Sequence, residues 1–388
     1  MPNPRTMVTE VGTGLGLLGR GDLDQVLTAR SPVMRSLSPE DWDQLALVRA
    51  GGTYDAEFHA AWENGRAFLS ARDGLRGRRP EVVEWKGAIR APGDEVAPVD
   101  LRIDHVYLVS CKYLSNILFN VSPAHLFDDL LFGGPRRRSR EAGRDWYGQV
   151  APAPYQELYE LVRRWAEDRG AEMPADALAR RRSANGSGAR SLPGLGQGPE
   201  DGGGGSPGAD VDSAAVLEDL PARAVDLTPA QRSALAQSLK AGWPPSAKAA
   251  YEALSDEVAR ASAARWRAAL RTGGGAGEAM LWRLLRMGST PYFVLGSSAT
   301  RSLRLRIATP WDWRQLFSLT RLEIFAQAGG QPRVGWTASV RQRASGQLHA
   351  LAGHVEVRWS HGRFGGLPEA KGYLDTPHHL VPGYFPLQ

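Results

Sequence analysis

Val82-Val83-Glu84-Trp85-Lys86-Gly87 and, further on, Asp100-Leu101-Arg102-Ile103-Asp104-His105-Val106-Tyr107-Leu108-Val109-Ser110-Cys111-Lys112 decide how this chain is read. Residues 82–89 and 99–112 have the β-branched and aromatic content of strands. Ala91-Pro92-Gly93-Asp94 between them is a strong turn signal. Positions 106–109 are apolar in succession, as in a central strand covered on both faces.

Upstream, residues 54–72 carry Phe58, Ala61, Trp62, Gly65, Phe68 and Leu69 at helical spacing, with Glu57 beside that stripe. Gly74 and Gly77 end this helix. Ser38-Pro39-Glu40 opens a shorter helix, with Ser38 as cap and proline in the first turn. Residues 1–40 form an N-terminal segment whose first dozen positions read as loosely ordered. Downstream, Ser122-Pro123 starts a helix over 126–132. The order helix, strands, helix predicts an α/β unit over 41–182, a mixed sheet with flanking helices. Residues 155–169 form another amphipathic helix. From 183 to 214 the chain is glycine, serine, proline and acid, a flexible linker by composition and the expected domain boundary. Beyond it, Thr228-Pro229-Ala230-Gln231 has the form of a capping box. Helices are expected near 229–241, 246–271 and 277–287, then strands at 292–295, 303–307, 322–326, 334–340 and 354–359. The C-terminal part, 215–388, is therefore read as an α+β, strand-rich domain for nucleic-acid or partner binding.

At 388 residues with 42% apolar content the chain holds enough material for two domains with real cores. The net charge of +5 comes from arginine and suits phosphate backbones, although alanine, arginine and glycine are abundant throughout, as in any chain encoded by GC-rich DNA. One cysteine, Cys111, excludes an intrachain disulfide and a thiolate cluster, and its apolar strand makes it a buried thiol rather than a nucleophile. No segment is apolar for the length a bilayer needs, and no secretory signal opens the sequence, so a cytoplasmic protein without membrane contact is expected. There is no phosphate-loop motif, no Gly-x-Ser-x-Gly elbow and no zinc-protease histidine pair among the eight histidines.

Carboxylates and lysines at the ends of apolar strands are what a divalent-metal nuclease needs. A phosphodiester requires charge neutralised on its oxygens and a hydroxide at neutral pH, and an oxygen-bound metal supplies both. Two strands bearing Asp and then Glu-x-Lys, preceded by a helical glutamate, resemble the PD-(D/E)xK nuclease superfamily over about residues 50–135. The resemblance implies a restriction-endonuclease-like fold, Mg²⁺ or Mn²⁺ as cofactor and DNA as substrate. It also implies a role in restriction or anti-phage defence. Carried over residue by residue, it implies metal binding by Glu84 and Asp100 or Asp104, assistance to the attacking water by Lys112, and a supporting role for Glu57. Ser110 stands where the family has an acid.

Two geometries remain open at this stage. A straight strand would separate Asp104 from Lys112 by ~26 Å, and Glu84-Trp85-Lys86 would then approach Asp104 as the reacting motif. A tight turn at Asp104-His105 would instead fold Asp100 back against Ser110, although Ile103-Asp104-His105-Val106 lacks the glycine or asparagine of a favoured hairpin turn.

Nucleic-acid contacts are expected from the basic loop Arg136, Arg137 and Arg138, from Arg304 and Arg306 alternating with apolar residues, and from Arg358, His361 and Arg363 interleaved with Trp359 and Phe364. Trp311-Asp312-Trp313 reads as core packing. Two further readings stand beside the nuclease. One is a non-catalytic nucleic-acid-binding or scaffold subunit, working with a protein partner or as a homodimer. The other is an enzyme using Glu356, Arg358, His361 and Glu369.

Overall fold

A computed structural model describes residues 3–19, 21–87, 99–113, 117–129, 145–171, 217, 219–271, 273–297, 302–327 and 329–388. The Ala91–Asp94 turn, Arg136 to Arg138 and the 183–214 linker lie outside the described residues.

The described fold is mixed α/β, built on two sheets. In the first, β1 (Met34–Arg35) runs parallel to β2 (Val83–Trp85). Strands β2, β3 (Leu101–Ile103) and β4 (Tyr107–Tyr113) follow as an antiparallel meander. Strand β4 then lies parallel to β6 (Tyr292–Ser297), which pairs with β7 (Ser302–Ile307), and β12 (Tyr384–Pro386) closes the edge. The second sheet is antiparallel, in the order β5 (Ile117–Val121), β11 (Pro368–Leu374), β10 (Leu348–Trp359), β9 (Arg333–Gln342), β8 (Phe317–Gln327). The 183–214 stretch therefore does not divide the strands between two units. Strands β6, β7 and β12 complete the first sheet, and β5 joins the second. The parallel pairing of β4 with β6 demands a long crossover, and the helices of the middle of the chain lie within it.

The N-terminal segment is not loose. Helix α1 (Pro4–Gly16) is capped by Asn3, whose side chain accepts from the Arg5 N–H, and Pro4 occupies its first turn. Met7, Val8, Val11 and Leu15 are fully buried. Its glycines, which read as disorder in the sequence, are contact points with α4 (Asp55–Ser70). A Cβ on Gly16 would meet the Trp62 carbonyl oxygen at 2.2 Å, and one on Gly65 the Thr13 carbonyl oxygen at 2.1 Å. Backbones can approach this closely only where side chains are absent. Between these helices α2 (Leu23–Ala29) and α3 (Pro39–Ala50) complete the layer, α3 starting at the expected Ser38 cap. One core joins α1 and α4 to Val83, Leu101, Ile103, Val109 and Leu295 of the first sheet.

The second core unites the other sheet with α5 (Trp146–Val150), α6 (Pro152–Ala171), α7 (Pro229–Ser238), α8 (Pro245–Leu270), α9 (Ala276–Leu284) and α10 (Pro310–Leu316). The three helices expected after residue 228 are α7, α8 and α9. Of the helix expected over 126–132, the described part is a π-helical turn at His125–Asp129, and residues 130–132 lie outside the described residues. Asp145 anchors this half. Its carboxylate accepts from the Tyr147 N–H at 3.1 Å, the Tyr155 hydroxyl at 2.7 Å and Arg232 Nη2 at 3.1 Å, all buried. Trp313 is buried as expected, whereas Trp311 is 69% exposed.

Candidate active site

The hairpin between β3 and β4 settles the open question of register. Asp104 (φ 48°) and His105 (φ 58°) both sit in the left-handed region, and the Val106 N–H donates to the Ile103 carbonyl at 3.0 Å. Ile103 pairs with Tyr107, so three residues, 104–106, make the loop, and its two left-handed positions are filled by an aspartate and a histidine, residues that tolerate that region better than most. Tertiary contacts secure it. Asp104 Oδ1 accepts from the Glu81 and Val82 N–H groups at 2.8 and 3.0 Å, and Oδ2 pairs with Arg78 at 2.7 Å. Burial would raise its pKa, but the Val82 N–H, Arg78 and the Glu81 N–H together hold the carboxyl below its ordinary value.

The turn folds Asp100 back against β4. The Asp100 N–H donates to the Val109 carbonyl at 2.9 Å. Its Oδ2 accepts from the Cys111 N–H at 2.6 Å and from the Ser110 hydroxyl at 3.2 Å. Ser110, fully buried where the family pattern has an acid, thus orients the neighbouring carboxylate instead of adding one.

Lys112 follows on the same strand. Burial lowers its pKa, while the nearby Asp100 opposes that shift and Arg286 adds to it. Its backbone is held by β6. Gly296 lies opposite Lys112, and a Cβ there would meet the Lys112 carbonyl oxygen at 1.7 Å. Behind this point Asn64 of α4 donates to the Gly296 carbonyl at 2.9 Å and to the Tyr113 hydroxyl at 3.1 Å, and accepts from Arg304 Nε at 2.8 Å.

The second carboxylate is one that sequence reasoning missed. Glu10 of α1 is 7% exposed and accepts from Trp85 Nε1 at 2.6 Å. Burial is the main cause that pushes its pKa up, to about 8. The Asp100 carboxylate adds to the rise, and the Trp85 bond and Lys112 moderate it. The signal was present: Met7, Val8, Val11 and Leu15 have helical spacing, and Glu10 lies among them. Arg286, buried and close enough to act on Lys112, was also missed.

The other predicted residues do not join this cluster. Glu84 is paired with Lys86 at 3.6 Å and His105 at 3.7 Å. It projects from the opposite side of β2 to Val83 and Trp85, which enter the α1 core. Asp104 caps the far end of the hairpin. Glu57 pairs with Arg5 at 3.2 Å, at the start of α1. The expected metal set of Glu84, Asp100 and Asp104 is therefore not gathered at one point, Asp104 being held by Arg78 and Glu84 by Lys86 and His105, and the reading of Glu84-Trp85-Lys86 as reacting motif falls with the straight strand.

Nor, among the described residues, do the expected nucleic-acid contacts form one surface. Arg304 is committed to Asn64. Arg363 donates to the Leu239 carbonyl at 2.6 Å and covers Trp243. Trp359 and Phe364 are buried against Tyr147 and Tyr155, so neither offers a face to a base. Arg358 pairs in register with Glu369 on the second sheet, Glu356 binds Arg333, and His361 is exposed in the following turn. The alternative constellation of Glu356, Arg358, His361 and Glu369 is thus a row of strand-face charges and a turn residue.

No protein-family model matches the chain, and no curated protein or solved structure matches it. Among the described residues no three of His, Cys, Asp and Glu gather as a metal cage. Two carboxylates with a lysine remain. Burial keeps the Cys111 thiol protonated by raising its pKa, so it is no thiolate ligand. The donor set is hard oxygen, and Mg²⁺ needs only one or two protein carboxylates, taking waters and substrate phosphate for the rest. Asp100 and Glu10 carry hard oxygen donors of the kind that ion takes.

Proposed function

We propose that the chain is a divalent-metal-dependent nuclease of the restriction-endonuclease-like kind, hydrolysing DNA phosphodiesters, with a restriction or anti-phage defence role. The observation that carries this reading is the return of Asp100 onto β4, which sets it against Ser110 and Cys111, next to Lys112 on the same strand. When bound, a Mg²⁺ or Mn²⁺ ion would supply charge neutralisation on the phosphate and a more acidic water. The chain's own residues do the rest. Asp100 is held as a carboxylate acceptor by the Cys111 N–H and the Ser110 hydroxyl. The Lys112 ammonium, with its charge disfavoured by burial, is poised to donate to a phosphate oxygen or to the attacking water. Glu10 keeps a proton at neutral pH until a cation or substrate replaces it.

Plasmid incubated with Mg²⁺ or Mn²⁺ tests this. Cleavage is expected from the wild type and from Glu84→Gln, with a loss of at least ~100-fold in Lys112→Ala and Asp100→Asn, the size seen when one charge-stabilising group is removed. A second reading is favoured by Ser110, which leaves the site one acid short of the family pattern: a non-catalytic nucleic-acid-binding subunit. That reading predicts salt-sensitive DNA binding and no cleavage with either metal, a result that would end the nuclease proposal.

A further inference from the structure

Arginines crowd the end of the first sheet opposite Lys112. The loop that follows α4, Arg72-Asp73-Gly74-Leu75-Arg76-Gly77-Arg78, folds over Tyr107 and Arg306 and leaves a groove of about 620 Å³. Leu75 anchors the loop in the core at 3% exposure. Gln388 ties it down: its side-chain oxygen accepts from Arg72, and its main-chain oxygen accepts from the Asp73 N–H at 3.1 Å.

The four guanidinium groups in the wall are poorly neutralised. Arg78 pairs with Asp104. Arg76 Nε donates to the Arg72 carbonyl at 2.7 Å, and Arg306 lies over the Phe385 ring at 5.1 Å. Among the described residues Arg72, Arg76 and Arg306 have no ion-pair partner, and Asp73 is the one acid lining the groove. The buried Nε of Arg306 has no hydrogen-bond partner. A buried donor left without an acceptor costs free energy that a ligand oxygen would recover. Guanidinium forks lining an open concavity suit a tetrahedral oxyanion, and charge-assisted bonds of this kind are the strong ones.

We propose that this groove is a phosphate-binding site separate from the carboxylate–lysine cluster. Its ligand is a phosphate oxyanion, borne by a nucleic-acid backbone or by a free inorganic phosphate. The separation follows from β4. Tyr107 in the groove and Lys112 are five residues apart on one strand, ~17 Å, and point to opposite faces. The inference requires phosphate recognition and no cleavage, so it stands or falls independently of the nuclease.

The full chain with EDTA present serves as the test. Tripolyphosphate binding is followed by calorimetry, and binding of a labelled duplex of about 20 base pairs by fluorescence anisotropy across a salt series. The variant is Arg72→Gln/Arg76→Gln, both residues exposed, with Arg260→Gln/Arg321→Gln as a charge-matched control on other exposed arginines. The expected result is affinity weakened at least ~10-fold for one of the two ligands. If the duplex is that ligand, the slope of log K against log salt falls by about 2. Loss for the duplex identifies a backbone site, and loss for tripolyphosphate a free-phosphate site. The proposal is overturned if the variant, with its melting temperature intact, binds both ligands within twofold of wild type, or if the control loses as much.

Discussion

Replacing Glu10 by glutamine should remove most of a pH dependence of stability between pH 5 and pH 8. In the folded chain burial and Asp100 keep this carboxyl protonated up to about 8, against an ordinary value of 4.5. Within that window the folded state binds the proton and the unfolded state has released it. The unfolding free energy therefore falls as pH rises, by about 1.4 kcal/mol per unit for one fully shifted group. Over three units this reaches at most about 4 kcal/mol. Glutamine has no proton to lose and keeps an acceptor for Trp85 Nε1. Urea denaturation in EDTA at pH 5, 6, 7 and 8 gives the comparison. The wild type should lose stability steadily towards pH 8, and Glu10→Gln should stay nearly level by comparison. Parallel curves for the two proteins would refute the assignment of Glu10 as a buried, proton-holding acid.

Gly296→Ala should disturb Lys112 without touching its side chain, since the new methyl would overlap the Lys112 carbonyl. Cleavage should fall more than in Glu84→Gln, with stability lower by about 1–3 kcal/mol in urea. Arg232→Ala leaves the Asp145 carboxylate buried without its cation and should cost about 3 kcal/mol in the same assay. Asp145→Asn/Arg232→Leu should recover part of that loss, because no uncompensated charge remains.

Much of the fold was legible because its elements carry their own patterns. The Ser38 and Thr228 caps and the α4 stripe are local signals, and the structure has helices at those places; of the apolar run 106–109, residues 107–109 lie in β4 while Val106 is exposed in the turn before it. What was not legible depends on distant partners. The Asp104–His105 turn has poor intrinsic propensity and is held by Glu81, Val82 and Arg78. Helix α1 looked loose because its glycines meet α4, a helix that comes only after α2 and α3 in the chain. The continuation of the first sheet from β4 to β6 has no local pattern at all. It exists only in the pairing of Val109 with Phe293 and of Lys112 with Gly296, across the whole middle of the chain. Within the site, Asp100 and Lys112 could be found from strand-end chemistry. Glu10 required knowing that a helix from the N-terminal segment packs beside β2 and β4.

Mn²⁺ titration followed by electron paramagnetic resonance tests the central claim most directly, because the free-ion signal disappears on binding. The account predicts one tight site in wild type and in Glu84→Gln, lost or weakened at least ~10-fold in Glu10→Gln and in Asp100→Asn. Equal Mn²⁺ binding by all four proteins, or none by the wild type, would contradict it.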